Sequence, residues 1–372
     1  MHVGIATGFA NHSQIDDSQF LREEFVQLEL AAELGFQSLW MTEHHFSEYS
    51  LSPNPLIYLS YLAGRTRARL GTQVLVAPWH DPVRLAEEIA LLDHVSRGRA
   101  ILGFGRGLSR MEYEGLRVDQ GEARQRFDDS VSMILRAFET GVLEGGEIYK
   151  QPRRELRPRP LRSLKGRAFC AAGSPPSMVA AARLGLGRLF LGQPMLVPGQ
   201  VSADSPIGRI TADDAGDAWL KAWKEAHPDE PPVAPFVSYF VFVDESGERA
   251  RELALTYMSR TFAAGIKNYE MTSEHHGTIK GYETYSSIRM TPEQAERAVQ
   301  NAHKNAIAGT PQEVLEQFEQ VKRVRQPQGM MPHLYTGGMP HEECVRSIRL
   351  FAAECLEEMQ SWDGAPSTID PQ

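Results

Sequence analysis

Two adjacent imidazoles and a carboxylate, Glu43-His44-His45 followed by Phe46, stand one residue, Thr42, after the apolar run Ser38-Leu39-Trp40-Met41. In a parallel α/β protein the end of a strand that hands over to its helix is the end that carries function. A His pair by itself reads as a surface or hydrogen-bonded core pair. Its position gives it weight, because further chemistry-bearing stretches follow at the ends of later apolar runs. Gly103-Phe104-Gly105-Arg106-Gly107 is one. It is not a dinucleotide fingerprint, since Leu108 stands where the last glycine would be. Its glycines still let a ligand approach the backbone, and Arg106 offers forked donors to a phosphate. Gly173-Ser174-Pro175-Pro176-Ser177 is another: a helix start with small hydroxyl side chains suits a phosphate. The bland readings are an arginine in a tight turn and an ordinary serine cap. A metal hydrolase built on His44, His45 and a carboxylate lacks any HExxH-type spacing, so no metal is expected.

The elements that must position these residues alternate along the chain. His2–Ala6 reads as a strand, and Leu21, Phe25, Leu28 and Ala32 form one face of a helix that Gly35 ends. A strand ending at Glu43 and a helix over 54–66 follow. Leu70–Ala77 reads as a buried strand closed by Pro78, and Asp81-Pro82 starts the next helix. Further strands are expected at 99–103, 167–171, 189–191, 236–243 and 331–335, with a helix over 123–140. Eight strands interleaved with helices over the full length predict a single α/β domain, a TIM (β/α)8 barrel over 1–362. Residues 145–166, rich in Arg and Pro, read as a loop with a short hairpin. Residues 265–305 form a long insertion before the eighth strand, with Tyr269, His275, His276, Gly281, Tyr282 and Tyr285. It reads either as an irregular surface excursion or as a lid. The tail 363–372 is expected to be flexible.

Bulk properties exclude several classes. The chain has 372 residues, 42% of them apolar and 23% charged, with a formal charge of −9. That balance argues against a nucleic-acid partner. Cys170, Cys344 and Cys355 show no metal or disulfide spacing, which fits a reducing compartment. Met1 leads straight into a strand, with no signal-peptide pattern and no apolar run long enough for a membrane span, so a cytoplasmic location is expected.

Taken in order, Glu43-His44-His45-Phe46 with Pro53-Asn54-Pro55, Leu70-Gly71-Thr72, Asp81-Pro82-Val83-Arg84, Leu92-Asp93-His94-Val95-Ser96-Arg97-Gly98-Arg99 and Gly103-Phe104-Gly105-Arg106-Gly107 resemble the luciferase-like flavin monooxygenases. The match is strong over 1–117, weaker at 167–187, and returns at Gly309-Thr310-Pro311-Gln312-Glu313. The resemblance implies a barrel that holds reduced FMN at the C-terminal ends of its strands. Such enzymes trap dioxygen as a flavin peroxide and place one oxygen atom on an organic substrate. It implies His44 as the catalytic acid or base, with Glu43 steadying that region. It places Arg106, Gly173, Ser174 and Ser177 on the flavin phosphate, and a non-proline cis peptide at Gln73-Val74 beneath the flavin ring. It further implies a homodimer and a separate NAD(P)H:flavin reductase. Phe9, His45, Phe46 and Trp79 are expected to wall an apolar or aromatic substrate pocket. Light-emitting members carry a reactive cysteine where this chain has Gly105, so no luminescence is expected. The rival readings are a deazaflavin-dependent hydride-transfer enzyme on the same barrel and a non-catalytic flavin-binding protein.

Overall fold

In the computed structural model, which describes residues 1–190, 212–283 and 289–369, the alternating pattern closes on itself. The first strand, β1, comes in two pieces, His2–Val3 and Ile5–Thr7. Then follow β2 (Ser38–Met41), β3 (Arg69–Thr72, resuming at Leu75–Val76), β4 (Ala100–Gly105), β5 (Ala168–Cys170), β6 (Gly187–Phe190), β7 (Phe236–Val243) and β8 (Gly329–His333). Each strand is parallel to the next. The second piece of β1 pairs with β2, the first piece pairs with β8, and the circuit passes through Gly4. This is a (β/α)8 barrel.

The helices that matter for the site start where capping chemistry places them. Helix α1 (Asp17–Glu33) is capped by Asp16, and α2 (Pro55–Ala63) by Asn54. Helix α3 (Pro82–Val95) is capped by Asp81, whose carboxylate accepts from the Val83 and Arg84 amides. Helices α4 (Arg110–Leu116) and α5 (Ala123–Thr140) follow β4, α6 (Pro175–Arg183) follows β5, α7 (Ala212–Ala226) follows β6, and α8 (Gly247–Asn268) follows β7. An aspartate or asparagine followed by proline satisfies orphan N–H groups and presets the first helical turn.

Inside the barrel, fully buried rings from three strands meet. Phe236 lies 5.1 Å from Trp40 and 5.1 Å from Phe169, measured between ring centroids. The Trp40 ring reaches across to β3, where a Cβ on Gly71 would sit 2.3 Å from it. Only glycine fits there. This aromatic plug fills the lumen, so the open space of the barrel is left at the C-terminal ends of the strands.

Several expected boundaries shift. β3 does not run unbroken to Ala77. It stops at Thr72, and the Gln73–Val74 peptide is cis before the strand resumes. β4 extends two residues further than expected, into the glycine motif, because Phe104 and Gly105 bond to Leu75 and Val76. β8 begins and ends two residues early, held by its register with β7. An antiparallel hairpin of Val142–Gly145 and Gln151–Glu155 leads into the Arg- and Pro-rich stretch. The described part of the insertion holds helical pieces: α8 runs into it, a turn of helix covers His275–Thr278, and Thr291 caps a helix over Pro292–Gln300. Ile307–Gly309 then adds a short strand beside β7. The described part of the tail makes contacts with the barrel. The Thr368 amide donates to Gln328 Oε1 at 2.9 Å and Ile369 is fully buried. Leu191, Tyr285, the His276 side chain and residues 370–372 lie outside the described residues.

At the opposite end of the barrel from the cavity, the buried Arg167 guanidinium clamps Asp93 with bonds of 2.5 and 3.1 Å, tying the start of β5 to α3. Its other donors reach the Ser163, Ala100 and Arg162 carbonyls. Removing one partner of such a pair leaves an uncompensated buried charge, which costs about 3–5 kcal/mol. Asp93→Leu should therefore lower the urea midpoint steeply. An unchanged midpoint would show that the clamp does not hold the barrel together.

Candidate active site

The ends of β2 and β3 are joined by one side chain. Glu43 is 2% exposed, and its Oε2 accepts the Val76 amide at 2.6 Å. Its Oε1 lies 2.6 Å from His80 Nε2 and 3.4 Å from His45 Nε2. Burial opposes the charge on Glu43, but His80, the two imidazole hydrogen bonds and the Val76 amide outweigh it and hold the carboxyl below its ordinary range. Burial likewise opposes the charge on His80, and Glu43 outweighs it and raises the imidazole. The two form a largely buried ion pair that joins the end of β2 to the turn after β3.

His44 has a different carboxylate. Glu112, on α4, is fully buried and accepts the His45 amide at 2.8 Å. The same oxygen lies 3.0 Å from His44 Nδ1. An oxygen that already accepts one N–H binds Nδ1 best when Nδ1 carries the proton. The other ring nitrogen, Nε2, lies 3.3 Å from the Tyr269 hydroxyl. The Tyr49 ring stands edge-on to the imidazole at 4.9 Å and to Tyr269 at 5.5 Å.

These groups open onto a cavity of about 420 Å³ at the strand ends. On its β4–β5 side, two arginines converge on one hydroxyl. Arg124 donates to Ser177 Oγ at 2.6 Å, and Arg106 donates to the same atom at 3.4 Å and to the Gly281 carbonyl at 3.0 Å. Ser174 Oγ donates to Ser177 Oγ at 2.9 Å. In front of Gly173 the space is open, with nothing within 4 Å of where a Cβ would stand. Burial and then the charge of Arg106 lower the pKa of Arg124. Two cations held together beside a glycine turn and hydroxyls make a site for an anion such as phosphate. Cys170 also lines the cavity, but burial pushes its thiol up to about 12, so it stays protonated.

Arg106, Gly173, Ser174 and Ser177 thus meet as the sequence suggests, and Gln73, Val74, Glu43, His44 and Trp79 line the same cavity. Val74 fills the space over Gly105, where a Cβ would lie 2.3 Å from its methyl group. Three expected wall residues do not line it. Phe9 is fully buried behind β1, stacked on Tyr58 at 4.9 Å and edge-on to Phe25 at 5.9 Å. Phe46 is 59% exposed, turned outward with φ at +64°. His45 is taken up by Glu43 and by the Trp79 ring at 5.3 Å. The cavity is also more polar than aromatic residues alone suggest, since His12, Thr42, Thr261, His333 and Thr336 share its wall. Sequence reasoning missed Glu112, Arg124, His80 and these wall residues. Arg124 alone left a trace: a cation in the first turn of α5 opposes the helix dipole.

Residues 1–325 match the luciferase-like monooxygenase family, and the chain belongs to it. It is 31% identical over 176 residues to the oxygenase component of a flavin-dependent trigonelline monooxygenase from Acinetobacter baylyi, covering 45% of this chain and about half, 49%, of that protein. It is 24% identical over 294 residues to an alkanal monooxygenase alpha chain from Photorhabdus luminescens, 77% of each chain. The crystal structure of monooxygenase RslO1 from Streptomyces bottropensis superposes with a TM-score of 0.74 at 27% identity, covering 96% of this chain and 100% of that one. More distant structures share the fold alone. They include the oxygenating constituent of 3,6-diketocamphane monooxygenase from Pseudomonas putida with FMN and a coenzyme F420-dependent reductase from Methanopyrus kandleri, each at 17% identity, with TM-scores of 0.67 and 0.59. Each covers 95% of this chain and 97% of its own.

The Glu43–His80 pair fixes a pH dependence. A lowered carboxyl contributes stability above its ordinary value of 4.5, lost as pH falls through the depressed value. A raised imidazole contributes stability below its ordinary 6.5, lost as pH rises through the elevated value. The gap in melting temperature between the wild type and His80→Gln should be widest between those two pH values and narrow as pH rises. A gap that is flat with pH would show that the pair is not ionised.

Proposed function

We propose that this chain binds reduced FMN at the mouth of its barrel and uses it with dioxygen to insert one oxygen atom into a small organic substrate. The observation that carries this is the convergence of Arg106, Arg124, Ser174 and Ser177 on one side of a cavity that also holds His44. The fit extends beyond the phosphate. Buried Gln73 and half-buried Val74 offer a shelf, and the Gln73 Oε1 atom has no hydrogen-bond partner among the described residues. Bound there, reduced FMN would supply the electrons and the oxygen activation. The chain's own share is proton handling and exclusion of water. His44 gives or takes a proton at Nε2, and Glu112 stabilises the imidazolium through Nδ1. Tyr49, Tyr269 and Trp79 cover the site.

In this reading the 265–305 segment acts as a lid, since Arg106 holds the Gly281 carbonyl and the Tyr282 hydroxyl donates to the Gly107 carbonyl at 2.8 Å. A separate NAD(P)H:flavin reductase supplies the reduced cofactor, in keeping with a relative that is named as an oxygenase component. A homodimer is supported by exposed Ile57, Tyr61, Leu91 and Val95 on the adjoining helices α2 and α3. Among the described residues no helix is long and apolar enough to cross a membrane. The second reading, deazaflavin-dependent hydride transfer, draws on the F420-dependent structures that share this barrel. Which reduced cofactor supports turnover separates the two.

Removing a cation from a phosphate site weakens binding by about ten- to a hundredfold. Arg106→Ala should do so for FMN in a fluorescence titration, and unchanged affinity would remove the phosphate assignment. General acid–base help is typically worth about 10²–10⁴ in rate. His44→Ala should therefore lose product by that order while retaining its fold and FMN affinity, with hydrogen peroxide released in place of product. Product formation at the normal rate would make His44 structural.

A further inference from the structure

We propose that His12 selects the substrate, and that the substrate is an uncharged planar arene whose hydroxyl or carbonyl group hydrogen-bonds to this imidazole. The proposal rests on the flavin reading above, because it takes the β4–β5 side of the cavity to be filled by the cofactor. His12 follows β1, Thr336 follows β8 and Thr261 sits on α8, so these cavity residues lie across the barrel from Arg106, Arg124 and Ser177.

Both ring nitrogens of His12 are cut off from solvent, and neither has a hydrogen-bond partner among the described residues. A buried polar group left unpaired is costly, so the natural partner is a ligand atom in the cavity that the ring lines. Burial and then Arg260 lower the pKa of His12, so the ring is neutral and offers one donor and one acceptor. Deeper in the cavity the same polarity repeats. Gln73 Nε2 donates to His333 Nε2 at 3.0 Å, and burial holds His333 neutral with its pKa lowered to about 3.

The walls between are aromatic. Tyr49 and Tyr269 stand edge to face, the His12 ring lies 6.2 Å from Tyr49, and Phe240 packs on His333 at 4.9 Å. Aromatic rings offer edges and faces that suit a planar aromatic ligand. An alkyl chain would leave the His12 nitrogens unpaired, and a site built to bond a hydroxyl rejects the analogue that lacks one. Among the described residues no cation lines this side of the cavity: the lining arginines are Arg106 and Arg124, and Arg260, whose charge acts on His12, is itself exposed to solvent.

The test measures equilibrium binding of 2-naphthol, naphthalene, 2-naphthoate and decanal by tryptophan fluorescence, on the purified protein with and without oxidised FMN. The expected result is 2-naphthol bound at least about tenfold more tightly than naphthalene. His12→Phe should abolish that preference with FMN affinity unchanged, and His12→Asn should keep part of it. Failure of the flavin reading would show separately, as a wild-type protein that does not bind FMN, and the probes are then read on the flavin-free protein. Naphthalene, 2-naphthoate or decanal binding as tightly as 2-naphthol would overturn the proposal. So would a preference that survives in His12→Phe, or no measurable 2-naphthol binding under either condition.

Discussion

The site depends on one buried carboxylate. Glu43 sits at the end of β2, yet its oxygens are spent on the Val76 amide of the resumed β3 and on two imidazoles. β3 breaks at Gln73 and Val74, so the backbone beyond the break has no ladder partner on the β2 side. Glu43 supplies one. Its charge is held by His80, which leaves the short turn Ala77–Trp79 pinned against the barrel and the Trp79 ring in the cavity wall. A buried carboxylate without His80 would be driven neutral, and the clasp would loosen.

That arrangement also explains why the chain carries two histidines in a row but one working candidate. Adjacent residues leaving a strand point in different directions. His45 turns to Glu43 and Trp79, and His44 turns to Glu112 and the cavity. Glu112 joins the two through a single oxygen, which accepts from the His45 backbone and bonds the His44 ring. Any shift of the His45 backbone is felt at the His44 imidazole.

The barrel was legible because its strand and helix periods are clean and its caps are strong, as at Asp81-Pro82 and Asn54-Pro55. The residues at strand ends, His44, Arg106 and Ser177, were legible because position in a parallel barrel carries meaning. What stayed hidden was contact at long range. Nothing in Met111-Glu112-Tyr113 marks its carboxylate as the partner of a histidine 68 residues earlier. Phe9 misled for the opposite reason. A large apolar residue just after a strand fits a pocket wall or a core, and the choice falls to Phe25 and Tyr58, which stack around it only once α1 and α2 have docked. The contact of Thr368 with Gln328 is likewise long-range, and the prolines and polar residues around it give no hint of it.

Charge divides the cavity as firmly as shape does. The chain is acidic overall at −9, yet the arginines that line the cavity stand together at β4–β5, where burial and then Arg106 raise the cost of the Arg124 charge. Asp128, 3.5 Å from Arg124, offsets part of that cost, and an anionic ligand would offset more. The imidazoles of His12 and His333, on the β8–β1 side, are held neutral by burial. A ligand with an anionic tail and a neutral ring system has one favourable orientation in such a field: tail to Arg106 and Arg124, ring toward Val74 and His44. Orientation is thus set by electrostatics before any contact with the ring is made, and the neutral side is left to discriminate by hydrogen bonds alone.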